Sequence, residues 1–213
     1  MKDIRKYIRQ TIKENFPLEE NTIIPPTIPN SMNFWHGGNL DDYDDIIAQK
    51  NGRYEFGTGL YLTTSYEVAS KYHKGNRKLY LVTVALGKEI HDATLDLEKA
   101  KQFINTYVLG SMRKLTWERL QRFNSNLKVP MEGNTIKAYV FNNIIINNKA
   151  IKSSNTKFLR AFYVENGIDY EMVDNAFGWG EKMMVLYNMK KIVNTIVVKS
   201  TDKIEVYDLL KNK

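Results

Sequence analysis

Phe56-Gly57-Thr58-Gly59-Leu60-Tyr61-Leu62-Thr63-Thr64-Ser65-Tyr66-Glu67-Val68-Ala69-Ser70-Lys71-Tyr72 reads as a turn, a strand and a helix in immediate succession. Gly52 and Gly57 bound a turn. Leu60 to Leu62 then form a brief strand, and the hydroxyl of Ser65 suits the N-cap of a helix running to Tyr72. Eighteen residues before this block begins, Phe34-Trp35-His36-Gly37-Gly38 ends a strand over residues 32–36.

On the N-terminal side, Ile4, Ile8, Ile12 and Phe16 recur at helical spacing and predict an amphipathic helix over residues 3–16. Pro25, Pro26 and Pro29 impose an extended linker after it, and a helix is expected from Asp41 to Gln49. On the C-terminal side, residues 78–86 alternate and are rich in β-branched and aromatic side chains, which makes a strand. Helical periodicity follows over 95–107, 115–127 and 156–166, the last ending at Gly167, while 136–146 fits helix or strand. Strands are expected at 168–173, 182–187 and 192–199. Strands at both ends with helices between them predict an α+β fold, in one domain spanning 1–213 with a mainly helical insertion over 95–160.

A chain of 213 residues can bury one sizeable core. Its longest apolar runs, Leu81 to Leu86 and Ile144 to Ile146, fall well short of the roughly 18 residues of a membrane helix. The first residues lack a secretory pattern. A soluble, cytoplasmic protein without a membrane partner is therefore expected. With no cysteine, there is no disulfide framework, thiolate zinc site or cysteine nucleophile. His36, His73 and His91 are too dispersed for a metal-ligand spacing, and the acidic run Asp41 to Asp45 suits the first turn of a helix, so no metal is expected. The net charge of +7 is concentrated in one place: residues 110–160 carry ten lysines and arginines against Glu118 and Glu132. That segment also contains Trp117, Phe123, Tyr139 and Phe141. Such a mixture suits phosphates and stacked bases, which makes Arg113, Lys114, Arg119 and Arg122 candidate nucleic-acid contacts; a lysine-rich solvated surface is the alternative.

Glycines directly after His36 let a flat ligand approach the main chain, whose N–H and C=O can hold a carboxamide. Residues 56–72 resemble, without a gap, the corresponding block of the ADP-ribosyltransferases of the poly(ADP-ribose) polymerase and diphtheria-toxin class. Phe34 to Gly38 resembles that class's histidine motif. The resemblance implies a split β-sheet core with flanking helices and NAD as substrate. His36 would bind the adenosine ribose, Gly37 the nicotinamide carboxamide, and Tyr61 and Tyr72 would sandwich the nicotinamide ring. The chain departs from the class at Gly38 and Ala69, where many members have serine. Weaker NAD affinity, or compensation by Thr63 or Ser65, should follow.

The class's third signature is a glutamate opening a late strand. Here Glu181 fills it, with Glu171 as the fallback; matching Tyr187-Asn188 to the end of that strand instead puts the position on Met183. A carboxylate there would stabilise the oxocarbenium-like state formed when the nicotinamide–ribose bond breaks. Residues Phe158 to Met172 resemble the helix, glycine and strand preceding this glutamate in bacterial and phage transferases. The resemblance implies a toxin-like mono-ADP-ribosyltransferase acting on nucleic acid (RNA or single-stranded DNA) or protein, with a neutralising antitoxin as a candidate partner. Trp179 two residues before Glu181 argues against arginine as acceptor. NAD glycohydrolysis and a non-catalytic NAD or ADP-ribose binding module are the alternatives.

Overall fold

The computed structural model describes residues 22–40, 58–72, 78–126, 134–178, 180–199 and 203–204. The expected helices at 3–16 and 41–49, the acidic run, Gly57 and Trp179 lie outside them. In chain order the strands are β1 (Thr22–Ile23), β2 (Ser31–Gly38), β3 (Leu60–Thr63), β4 (Lys78–Ala85), β5 (Thr94–Asp96), β6 (Thr135–Lys137), β7 (Tyr170–Asp174), β8 (Lys182–Leu186), β9 (Ile192–Val198) and β10 (Lys203–Ile204). The α-helices are α1 (Tyr66–Tyr72), α2 (Leu97–Tyr107), α3 (Arg113–Asn126), α4 (Ala138–Asn147) and α5 (Thr156–Glu165). No helix among the described residues is long and apolar enough to cross a membrane.

Six strands form one antiparallel sheet in the order β7-β8-β3-β2-β4-β9, so the architecture is mixed α/β. β4 lies inside the sheet with β2 and β9 as neighbours, which is why Leu79 to Val84 are all buried. Its side chains alternate between two cores. Leu79 and Leu81 join Trp35 and Ala69 beneath α1, while Tyr80, Val82 and Val84 join Phe34, Leu62 and Met184 on the other face. A larger core lies under α2 to α5, where Phe103, Phe141, Phe162 and Tyr163 meet Met183, Val185 and Tyr187 of β8 and the residue after it.

Two expected elements divide in the structure. Leu95 and Ile136 face each other across the short β5–β6 ladder, so the segments read as 95–107 and 136–146 each begin as strand and continue as helix. This resolves the ambiguity of 136–146: Ile136 is recruited by its partner strand, and the run from Ala138 onward buries one side as helix. The switch at Asp96 is marked by its carboxylate, which accepts the Lys99 N–H at 2.9 Å as an N-cap.

One carboxylate closes the helical region on itself. The Asp169 main-chain N–H donates to the Lys88 carbonyl at 2.8 Å, while its Oδ2 accepts the Lys88 N–H at 2.9 Å. Oδ1 accepts from Asn188 Nδ2 at 2.7 Å, and Lys191 Nζ lies 3.3 Å from Oδ2. The Asp169 carboxylate occupies the space a Cβ on Gly87 would need. Gly87→Ala should therefore cost about 1–3 kcal/mol in urea unfolding, as overpacking does. Gly110→Ala, whose Cβ would meet nothing within 4 Å, should stay within about 0.5 kcal/mol of the parent.

Candidate functional site

β2 and β3 are joined by a single register pair, Trp35↔Thr63, whereas β2 pairs with β4 along its whole length. Past that pair, a side chain bridges the two strands. His36 Nδ1 lies 2.9 Å from the Tyr61 carbonyl oxygen. A carbonyl only accepts, so Nδ1 carries the proton, and a neutral ring then presents a lone pair at Nε2. The ring is buried, at 8 % exposure, and burial holds its pKa below the usual histidine value, partly offset by the bond to Tyr61. Its Nε2 edge fills the space a Cβ at residue 38 would take. Gly38 is thus the residue that lets this imidazole lie down along its own strand.

Tyr61 and His36 come together through the main chain of one and the ring of the other. The Tyr61 side chain itself packs against the helical core, on the side of β3 that carries Met183 and Val185 of β8. Tyr72 ends α1 with 49 % of its surface exposed. Ser65 is the cap expected of it, its Oγ accepting the Val68 N–H at 3.3 Å. The Thr63 hydroxyl is committed to the same turn, accepting the Ser65 N–H at 3.1 Å. Ala69 lies in the small core against Trp35, which is why a larger polar residue is absent there.

Glu181 sits at the entrance to β8 and is 3 % exposed. Its Oε1 accepts the Phe177 N–H at 2.5 Å, and its carbonyl accepts the Asn175 N–H at 2.7 Å. The carboxylate therefore also stitches the β7–β8 connection, in which Asn175, Gly178 and Gly180 all adopt positive φ. Thr64 fastens the adjoining strand end, exchanging bonds of 2.9 Å with Lys182: the Thr64 N–H donates to its carbonyl and the Lys182 N–H to Thr64 Oγ1. Met183, the other register for the glutamate, pairs with Thr63 and is buried in the helical core.

Glu171 is buried in a different manner. Across the sheet it shares a row with Val185 and Tyr61. Its Oε2 accepts from Tyr187 Oη at 2.9 Å and from Asn142 Nδ2 at 3.0 Å, and Asn142 Oδ1 accepts from Tyr163 Oη at 2.9 Å. Burial raises the Glu171 pKa, opposed chiefly by the Tyr187 hydrogen bond. Burial also pushes both tyrosines well above their ordinary value. Sequence reading takes Glu171 only as a fallback, uses Tyr187 only to set a strand register, and misses Asn142 and Tyr163; a polar residue amid the apolar run of α4 is the available signal.

The basic segment divides. Arg119, Arg122 and Phe123 of α3 face Tyr139, Asn143, Asn147 and Asn148 of α4 and its end across a groove of about 630 Å³. Arg113 instead donates from Nε to the Val108 carbonyl at 3.1 Å, and Lys114 lies 4.0 Å from Glu118 on the exposed helix surface. Neither lines the groove. Of the four aromatics read with them, Phe141 is fully buried and Trp117 packs against the helical core beneath Lys101.

The chain matches no known family model, no curated protein and no solved structure.

Glu171 and His36 set opposite pH dependences of stability. The folded state holds a proton on Glu171 at a pH where the unfolded chain has lost it, so stability falls as pH rises from the unfolded value of about 4.5 through the folded one. His36 acts on the acid side: below about 6.5 the unfolded chain takes up a proton that the folded ring resists, so stability falls as pH drops. Glu171→Gln keeps an acceptor for Tyr187 and Asn142 without the buried charge. Its stability relative to the parent should improve as pH rises from 4.5 to 8, read by urea unfolding across that range.

Proposed function

We propose that this protein is an NAD-dependent ADP-ribosyltransferase that breaks the nicotinamide–ribose bond and passes ADP-ribose to a macromolecular acceptor. The resemblance of residues 34–38 and 56–72 to the poly(ADP-ribose) polymerase and diphtheria-toxin class supplies the reading, and with it the class's split-sheet fold. One observation carries it: the His36 Nδ1 bond to the Tyr61 carbonyl joins the two motifs where β2 and β3 part. A neutral imidazole held there accepts at Nε2, as a ribose hydroxyl requires.

In this reading Gly37 holds the carboxamide through its main chain, and Tyr61 and Tyr72 bound the nicotinamide. The bonding pair of the C1′–N bond leaves with nicotinamide, and the acceptor supplies the new pair to C1′ while giving up its proton. Glu181, at the head of β8, stabilises the positive charge that develops on the ribose between those events. Its existing bond to Phe177 N favours a second reading, in which NAD or ADP-ribose is bound without turnover.

Release of nicotinamide from NAD separates them. Glu181→Gln retains a carbonyl acceptor for Phe177 N and should lower the rate by about 10²-fold or more, as loss of a group stabilising transition-state charge does. Glu171→Gln, buried away in its tyrosine network, should retain the rate within a few-fold. The reverse pattern moves the catalytic role to Glu171. No release by the parent protein establishes the binding module, and release without labelling of protein or nucleic acid establishes a glycohydrolase.

Gly38→Ala tests the histidine separately. The added Cβ displaces the ring, so NAD affinity measured by calorimetry should fall roughly tenfold, the effect of losing one good hydrogen bond. Unchanged affinity would remove His36 from the ligand site.

A further inference from the structure

From the groove between α3 and α4 we infer that this protein docks single-stranded nucleic acid there, with a base against Phe123 and the backbone phosphates on Arg119 and Arg122. Arg119, Arg122 and Phe123 stand at i, i+3 and i+4, so one face of α3 presents two guanidinium groups and a ring together. Phe123 is 55 % exposed, so its ring can be reached from the groove. Tyr139 forms the opposite wall and is braced from behind by His91, whose ring stacks on it at 5.2 Å and 25°.

Charge selects the occupant. Among the described residues no carboxylate lines the groove, and the surrounding segment from residue 110 to 160 is strongly basic. Arg119 donates to Asn148 Oδ1, which orients its plane; a guanidinium has five N–H donors, so further donors serve a phosphate. Asn143 and Asn147 are among the lining residues, and side-chain amides are groups that meet base edges. Aromatic faces, guanidinium groups and amides in one trough match a single strand, whose bases are available for stacking, better than a duplex, whose bases are paired.

The docking claim stands on the groove alone; that the docked strand is the ADP-ribose acceptor rests on the transferase reading above. Binding is measured by fluorescence anisotropy with labelled oligonucleotides of roughly 12 nucleotides, the length one such site covers: oligo-deoxythymidine, oligo-uridine and a duplex. Both single strands should bind more tightly than the duplex. Two phosphate contacts should make affinity fall about sevenfold for a fourfold rise in salt. Phe123→Ala should weaken binding about tenfold, and Arg122→Glu by a similar factor with a shallower salt slope. Both positions are exposed, and unchanged thermal unfolding would show both variants folded. Affinity unaltered in both variants overturns the proposal, as does preference for the duplex or tighter binding of an acidic polyglutamate peptide than of either strand.

The same variants keep the two readings apart. Nicotinamide release from NAD without oligonucleotide should equal that of the parent, while transfer of label from NAD to the strand should be lost with binding. A parent that binds the strands but releases no nicotinamide refutes the transferase reading and leaves the docking site in place.

Discussion

The hydrogen bond between His36 Nδ1 and the Tyr61 carbonyl takes the place of a ladder bond between two strands that should otherwise pair. A β-sheet interior normally leaves no room for a ligand, because every main-chain group facing a neighbour is spoken for. Here one register pair holds β2 to β3, and an imidazole spans the strands beyond it. The full-length β2–β4 ladder on the other side keeps His36 in position while this happens. Opening the sheet at one joint is affordable only because the adjoining strands are so thoroughly tied: β4 is buried from Leu79 to Val84, and β3 is paired with β8 through four successive residues.

Two buried glutamates show how little burial alone says about role. Glu171 closes a set of side-chain hydrogen bonds linking β7 to α4, α5 and Tyr187, and its raised pKa reflects a group withdrawn from water for packing. Glu181 is equally hidden but bonds main-chain N–H of its own connection, at the end of β8 beside the start of α1. The first couples the helices to the sheet. The second fixes the shape of a turn at the sheet's rim, where it holds the Phe177 N–H.

Local chemistry was readable where the chain contains it. Ser65 as a cap, the strands around Tyr80 and Met184, and the helix ending at Gly167 follow from residues within a few positions of each other. The divided segments at Leu95 and Ile136 did not, since each becomes strand only by meeting the other, some forty residues away. The same holds for the site. Gly38 read as a departure from a family pattern, but only the structure shows that its missing Cβ is where the His36 ring rests. Asn142 looked like one asparagine among many until Tyr163 and Glu171 closed on it from distant strands and helices. Among the basic residues, composition could not distinguish Arg119 and Arg122, which share a groove, from Arg113, which serves its own main chain.

Asp169 bonds Lys88 through both its main chain and its carboxylate, so the polypeptide leaves the sheet and returns to it at nearly one point. Closing a loop of that length costs on the order of 4 kcal/mol of chain entropy, incurred once at a single doorway. Everything from β5 to α5 is an excursion through that doorway. A short peptide joining the two sides would keep the order of the strands, yet it would strip the cover from Met183 and Val185 of β8 and from Tyr187. The clamp thus fixes where the helical region attaches, while the shared core makes sheet and helices one folding unit.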